Sequence, residues 1–172
     1  HLSIRRQRQM CIRDSDIPQG GRAARGRAIV NLIGCEPNEK VEAFVSVKEF
    51  DDEHYIVMAT EKGIVKKTVL SAYGKPRKGG IYAIEIRDGD KLIEARISNG
   101  EHDILLGTSE GKSIRFSEND IRPSGRKTMG VKGIKLGSEK DRLVGMLVVR
   151  REGTVLVATE KGMGKRTDVI QY

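Results

Sequence analysis

The segment Ala59-Thr60-Glu61-Lys62-Gly63-Ile64-Val65-Lys66-Lys67-Thr68 decides the fold, because related segments occur three times in the chain. A near copy is Ala158-Thr159-Glu160-Lys161-Gly162-Met163-Gly164-Lys165-Arg166-Thr167, and a looser copy between them is Thr108-Ser109-Glu110-Gly111-Lys112-Ser113-Ile114-Arg115-Phe116. The central glycines of the three copies are 48 and 51 residues apart. A period of about fifty residues is typical of units that stack or are arranged around an axis, so the repeat indicates a modular fold.

The composition favours β-strands. The 172 residues include no Trp, only 3 Phe and 4 Tyr, and 20 Gly. A chain of this length can bury one sizeable core, and here that core must consist mostly of Val, Ile, Leu and Ala. Such residues suit strands, and the glycines indicate many turns.

The charge indicates an anionic partner. The net charge is +8, and the first fifteen residues contribute four Arg and one Asp to it, so the remainder carries 28 positive and 23 negative charges. A basic surplus of this size favours nucleic acid as a partner, although mixed charge also serves solubility.

Two cysteines, Cys11 and Cys35, lack the paired spacing of a zinc site. Free thiols in a reducing cytosol are the simplest interpretation. No apolar run approaches the ~20 residues of a membrane span, and the N-terminus lacks the apolar core of a secretion signal.

Residues 1–15 match nothing later in the chain and show neither strand alternation nor a sustained amphipathic helix. A basic arm that binds phosphate is one interpretation. We expect instead a disordered leader that does not belong to the domain, which then spans residues 16–172.

Each unit contains four predicted strands. The first is a short apolar run after a glycine, at 28–32, 83–86 and 133–136. The second is opened by an acidic, a basic and an aliphatic residue, and these triplets are 51 residues apart each time: Glu39-Lys40-Val41, Asp90-Lys91-Leu92 and Asp141-Arg142-Leu143. The third, at 55–59, 104–106 and 155–158, is so apolar that both faces should be buried. The repeated segment then supplies a glycine turn and the fourth strand.

Three units fit the chain, at roughly 19–70, 71–121 and 122–172, and no stretch has a convincing helical pattern. Four-stranded units with this period predict an all-β fold made of blades, as in a β-propeller or a close relative. Kelch and similar repeats have a comparable length, so the period alone does not choose a family.

Enzymatic motifs are weak. Gly107-Thr108-Ser109-Glu110-Gly111-Lys112-Ser113 has one residue too few between its glycines for a phosphate-binding loop, and it falls in a predicted hairpin. His1, His54 and His102 have no Ser, Cys or carboxylate partner in a recognisable order. We therefore assign no catalytic or metal-binding residue.

Basic residues recur at two points of the repeat. One set precedes the first predicted strand: Arg22, Arg25 and Arg27; Lys75, Arg77 and Lys78; Arg126, Lys127 and Lys132. The other lies on the fourth predicted strand: Lys66 and Lys67, Arg115, and Lys165 and Arg166. Equivalent positions of a radial array lie on one track, so these fourteen residues are candidate phosphate contacts. The competing interpretation is that they keep edge strands and turns soluble.

Five segments together are specific enough to indicate a family. They are Ala24-Arg25-Gly26-Arg27-Ala28-Ile29-Val30-Asn31-Leu32, Met58-Ala59-Thr60 through Lys66-Lys67-Thr68, Glu110-Gly111-Lys112-Ser113-Ile114-Arg115-Phe116, Gly130-Val131-Lys132-Gly133-Ile134 and Gly164-Lys165-Arg166-Thr167. From about Asp16 to Tyr172, the chain resembles the C-terminal domains of bacterial DNA gyrase A proteins.

The resemblance implies a β-pinwheel, a propeller-like disc whose blades exchange strands and whose basic rim wraps double-stranded DNA. It implies a cytoplasmic, nucleoid-associated part of an A2B2 enzyme, with the gyrase A core and gyrase B as partners. In that enzyme, ATP and Mg are used elsewhere, and wrapping supports ATP-dependent negative supercoiling. The breakage tyrosine and its neighbouring arginine belong to the N-terminal core, so Tyr55, Tyr73, Tyr82 and Tyr172 receive no such role.

Two departures from the family pattern leave alternatives open. About three blades are present where the family has about six, so we expect this chain to be marginally stable or to associate. The glutamine-arginine-glycine-rich box near the start of the gyrase domain is not found, and it is the best discriminator from topoisomerase IV. The corresponding domain of topoisomerase IV and a protein-interaction propeller without DNA wrapping therefore remain alternatives.

Overall fold

The computed structural model describes residues 2–5, 8–11, 17–26, 28, 41–75, 81–150 and 152–172. The strands in these ranges are β1 (Leu2–Arg5), β2 (Arg8–Cys11), β3 (Val41–Val45), β4 (Tyr55–Thr60), β5 (Ile64–Val69), β6 (Ile81–Tyr82), β7 (Leu92–Ser98), β8 (Asp103–Thr108), β9 (Ser113–Ser117), β10 (Val131–Lys132), β11 (Leu143–Val149), β12 (Thr154–Ala158) and β13 (Gly164–Asp168). The helical segments within the same ranges are three short 3-10 turns, Leu70–Tyr73, Glu118–Asp120 and Val169–Gln171. The all-β prediction is confirmed.

The strands form four antiparallel sheets. The first has the order β3-β1-β2-β6, the second β10-β5-β4-β7, the third β11-β8-β9 and the fourth β12-β13. The sheets do not coincide with the sequence repeats, because β7 and β10 belong to later repeats than β4 and β5. The second sheet therefore combines strands from three repeats, which is the strand exchange that the resemblance implies.

The repeated segment forms the same hairpin in each unit. It joins β4 to β5, β8 to β9 and β12 to β13. The turn glycines Gly63, Gly111 and Gly162 have φ of 80°, 82° and 80°. Backbone of this conformation favours glycine, so the predicted role of these residues is confirmed.

Three apolar clusters lie between successive sheets. Strand β4 shows how alternation builds them: Ile56 and Met58 pack into the cluster shared with β3 and β7, whereas Val57 and Ala59 pack into the cluster shared with β8 and β11. Successive strand residues point to opposite faces, so a strand buried on both faces joins two clusters. The prediction of two buried faces is confirmed for β4, and β8 is buried almost throughout.

The same prediction is wrong for β12. Val155 is buried, but Leu156 and Val157 are 70% and 49% exposed. The third cluster, which contains Leu105 and Val149, covers one face of the fourth sheet. No other sheet of the described chain packs on the opposite face, so apolar sequence alone does not bury this strand.

The predicted first strands are also wrong where the structure describes them. Residues 83–86 form no strand, and β10 precedes the predicted 133–136. The backbone finds partners in loops instead: the N–H of Glu85 donates to Thr128 O at 3.1 Å, and that of Gly133 donates to Gly63 O at 2.9 Å. The run 28–32 lies, except for Ala28, outside the described residues.

Regular structure in the leader was not expected, yet β1 and β2 form a hairpin there. β1 pairs with β3, and β2 pairs with β6. Unpaired edges such as those of β3 and β6 offer backbone donors and acceptors to any extended segment. Because such pairing uses backbone atoms, the sequence of the leader does not have to match the repeat.

Within the described ranges, no helix has the length and apolar character that crossing a membrane requires.

Candidate nucleic-acid interface

The structure describes eleven of the fourteen predicted basic residues, and Arg27, Arg77 and Lys78 lie outside the described residues. Seven of the eleven are exposed: Arg22, Arg25, Lys75, Lys127, Lys132, Lys165 and Arg166. Arg115 and Arg126 are half-buried, and Lys66 and Lys67 are buried. The predicted set therefore divides into cations that a phosphate could reach and cations that lie inside the fold.

Lys66 on β5 is fully buried. Its Nζ donates to the carbonyl oxygens of Ala83, at 2.8 Å, and Arg126, at 2.6 Å. Removal from water, and secondarily the positive charge of Arg126, lowers the pKa of Lys66 to about 8. An ammonium group held in this way does not reach a phosphate at the surface, so we leave Lys66 out of the interface.

Lys67 is the counterion of a buried carboxylate. Its Nζ lies 2.9 Å from Glu118 Oε2 and 4.4 Å from the centre of the Tyr55 ring. Ser98 Oγ and the backbone N–H of His102 also donate to Glu118, at 2.6 and 2.7 Å. Burial alone would raise the pKa of Glu118, but these hydrogen bonds and the charge of Lys67 lower it. Lys67 is therefore also left out of the interface.

The contact made by Lys67 recurs in the next repeat. Lys67 Nζ donates to the carbonyl of Glu118 at 3.3 Å, and Arg115 Nη1 donates to the carbonyl of Val169. Each cation lies four positions after its turn glycine, and each carbonyl belongs to the first residue of the 3-10 turn in the following repeat. This position thus joins neighbouring repeats in both instances.

Strand alternation limits how such a pair of lysines can face. Because adjacent strand residues point to opposite faces, Lys66 and Lys67 cannot both lie on one exposed face. β5 is paired along both edges, with β10 and β4, and its residues 65–68 are buried on both faces. By contrast, Lys165 and Arg166 lie on β13 of the two-stranded sheet and stay exposed.

Residues 122–128, which we call the basic loop, present a group of accessible cations. Arg122 and Lys127 are exposed, Arg126 is half-buried, and Lys132 follows on β10. Sequence reasoning missed Arg122, because it has no counterpart among the basic clusters of the other units. Four cations within eleven residues suit a phosphate backbone.

The basic loop has a defined conformation. The N–H of Ser124 donates to Lys67 O at 2.9 Å, and the hydroxyls of Ser124 and Thr128 are 2.9 Å apart. Thr128 Oγ1 also donates to Gly125 O at 2.8 Å. These hydrogen bonds therefore fix the backbone from which the cationic side chains of the loop extend.

Two acidic residues of the repeated acid-base-aliphatic triplets bind turns within the fold. Asp90 Oδ1 accepts from the N–H of Lys62 at 2.9 Å, and Asp141 Oδ1 accepts from the N–H of Glu110 at 3.1 Å. Burial alone would raise the pKa of Asp141, but hydrogen bonds from the N–H groups of Gly137 and Glu110 and from nearby hydroxyls lower it to about 2. Each triplet thus caps the turn of the preceding repeat.

No arrangement in the described part of the chain resembles a metal centre, since it contains no group of three His, Cys, Asp or Glu side chains that could hold an ion. His54 Nδ1 pairs with Asp51 at 2.8 Å, and His102 Nδ1 lies 3.7 Å from Glu118. Burial raises the pKa of Tyr73 to about 12, and its hydroxyl donates to Ala83 O at 3.2 Å. These groups stabilise the fold.

The chain matches the protein family described as DNA gyrase C-terminal domain, beta-propeller, over residues 15–48, 54–99, 102–150 and 153–172. Among its relatives, the DNA gyrase A protein of Escherichia coli (strain K12) is 44% identical over 156 residues, which cover 91% of this chain and 18% of that protein. The DNA gyrase A protein of Chlamydia trachomatis serovar D is 44% identical over 158 residues, covering 91% of this chain and 19% of the relative. The chain thus spans about a fifth of the length of these relatives.

Two solved structures have the same fold. The C-terminal domain of DNA topoisomerase IV superposes with a TM-score of 0.87 at 23% identity, over 99% of this chain and 54% of that one. The DNA gyrase A C-terminal domain superposes with a TM-score of 0.82 at 24% identity, over 98% of this chain and 54% of that one.

Proposed function

Because the chain belongs to the family of DNA gyrase C-terminal, β-propeller domains, we propose that it binds double-stranded DNA along its basic surface and bends it. In this proposal the chain is the DNA-wrapping portion of a gyrase A protein. The wrapped DNA then supports ATP-dependent negative supercoiling by the holoenzyme.

The accessible cations carry this proposal. Lys127, Lys132 and Arg166 are exposed, whereas the charged residues that are buried, Lys66, Lys67, Glu118 and Asp141, sum to zero. The basic surplus of the described residues therefore lies at the surface. Phosphates supply most of the affinity in binding that does not depend on sequence, and such a surface suits them.

The chemistry required of this chain is binding and bending. Smooth bending of a 20–30 base-pair duplex by 40–90° costs about 1–6 kcal/mol, and several phosphate contacts offset that cost without reading bases. Binding should therefore depend little on the base sequence of the DNA and strongly on the salt concentration.

The remaining parts of the proposal concern the holoenzyme. The gyrase A core and gyrase B are the proposed partners in an A2B2 assembly, located in the bacterial cytoplasm at the nucleoid. ATP and Mg act elsewhere in that assembly, and we assign no nucleotide site and no breakage residue to this chain.

Titration of duplex DNA at increasing salt tests the proposal. Each phosphate contact contributes about 0.9 to the slope of log K against log salt, so about six contacts weaken binding roughly a thousandfold between ~50 and ~200 mM. Replacing Lys127 and Lys132 by Gln should reduce the slope by about 2. Lys91→Gln is the matched control, because Lys91 is exposed but lies 3.3 Å from Glu61. Affinity that does not change with salt would refute the proposal.

The alternatives predict different outcomes. A protein-interaction propeller would give a stoichiometric protein partner and no binding to DNA. The likeness to the topoisomerase IV domain shows the fold alone, whereas the relatives named above are gyrase A proteins. Comparison of DNA bending with that by a gyrase A domain and by a topoisomerase IV domain would separate these two.

A further inference from the structure

Lys66 lies at a junction of three repeats. It belongs to the first repeat, but its Nζ binds the carbonyl of Ala83 in the second and the carbonyl of Arg126 in the third. The Lys66–Arg126 bond connects positions 60 residues apart in the sequence. A single ammonium therefore links the basic loop to the interior of the fold.

A cavity of about 220 Å³ lies between β5 and the basic loop, and it is lined by residues that include Val65, Ser124 and Thr128. The loop is therefore held at separate points. The Ser124 N–H donates to Lys67 O, Lys66 Nζ donates to Arg126 O, and Thr128 O accepts from the N–H of Glu85.

Burial of the charged Lys66 side chain has an electrostatic cost. The buried ammonium of Lys66 lies near the guanidinium of Arg126, and this like charge contributes to the lowered pKa of Lys66. The two carbonyl acceptors offset part of the cost of keeping a charge out of water. An uncharged side chain would avoid both costs, yet it would leave the Arg126 carbonyl without this donor.

We propose that Lys66 is a positioning residue for DNA binding: its ammonium fixes the basic loop against β5 so that Arg122, Arg126 and Lys127 face the phosphate backbone. This inference rests on the proposed function. Lys66 then does not contact phosphate itself. Instead, it lies in the first repeat and supports a loop of the third.

The proposal is tested with Lys66→Met in the 172-residue chain, since Met retains the apolar stem and removes the donor. In the parent background, DNA affinity at ~0.1 M salt should fall on the order of tenfold and the salt slope by about 1, as for one lost phosphate contact. The same substitution is then made in a chain in which Arg122, Arg126 and Lys127 are all Gln.

The second background distinguishes positioning from general stability. If Lys66 acts through the loop, Lys66→Met should not weaken DNA binding further once the loop cations are gone, although it should lower the urea midpoint in both backgrounds. Equal loss of affinity in both backgrounds, or no loss in the parent, overturns the proposal.

Trypsin cleavage without DNA gives an independent readout. Cleavage after Arg126 and Lys127 should be faster in Lys66→Met than in the parent, and an unchanged rate overturns the proposal. If the parent binds no DNA, the proposed function fails, while the cleavage rates still decide whether Lys66 holds the loop.

Lys66→Gln provides the conservative variant, because its amide keeps a donor, and it should restore part of the affinity. If neither variant folds, Lys66 is a general requirement of the fold, and the positioning role is rejected.

Discussion

Substitution of the three equivalent turn glycines by Ala separates backbone strain from contact between repeats. Gly63, Gly111 and Gly162 have nearly the same positive φ. A side chain at such a position costs about 1–2 kcal/mol, and this cost should be similar at all three sites.

Only the surroundings of the three glycines differ. A Cβ at Gly63 would lie 2.9 Å from Ile134 Cγ2 and 3.0 Å from the Ile134 carbonyl oxygen, whereas a Cβ at Gly111 or Gly162 meets nothing within 4 Å. Gly63 O also accepts the N–H of Gly133 at 2.9 Å, so movement of the turn disturbs the connection to β10. Overpacking of this kind costs about 1–3 kcal/mol.

Gly63→Ala should therefore lower the free energy of unfolding by about 2–5 kcal/mol, against about 1–2 kcal/mol for Gly111→Ala or Gly162→Ala. Urea titration followed by circular dichroism measures the three differences under the same conditions. Equal losses at Gly63 and Gly111 would refute the close approach of Ile134. No loss at any site would refute the positive φ.

Three further predictions concern the buried ions and the exposed apolar face. Lys67→Met should lower the free energy of unfolding by about 3–5 kcal/mol because it leaves Glu118 buried without its counterion, and the double variant with Glu118→Gln should recover part of that loss in the same urea titration. The lowered pKa of Asp141 means that its stabilising contribution is complete above a pH of about 4 and is lost as the pH falls towards about 2; acid unfolding of Asp141→Asn should lack that part of the dependence, and parallel curves would contradict the assignment. Leu156 and Ile170 are 70% and 76% exposed, so replacing both by Lys should reduce self-association of the chain in sedimentation experiments, and an unchanged mass distribution would show that this face does not mediate it.

Short-range patterns predicted much of the fold. The recurring acid-base-aliphatic triplets correctly placed β3, β7 and β11, and the repeated segment correctly placed the three glycine hairpins. These features depend on neighbouring residues, because strand alternation and turn geometry act over a few positions. The predicted first strands failed because the partners of Glu85 and Gly133 are loop atoms distant in sequence.

The candidate interface was less predictable, because it too depends on partners that are distant in sequence. Composition and repeat position indicated a basic track, and the exposed cations Lys127, Lys132, Lys165 and Arg166 remain candidates within it. Nothing local to the sequence distinguishes these from Lys66, which has a similar position in its repeat. What differs is the number of strands and loops packed around each one.

The sequence by itself determined that this protein is a repeat of β-hairpins with a basic surplus, because period, glycine turns and charge are properties of the chain read in order. Only the tertiary structure decided which cations face solvent. Lys66 is buried because Arg126, 60 positions away, brings its carbonyl to the ammonium, and Lys67 is buried because Glu118, 51 positions away, supplies the carboxylate. Exposure of a charge depends on such distant partners, since they compensate for the loss of water, and no local pattern records them.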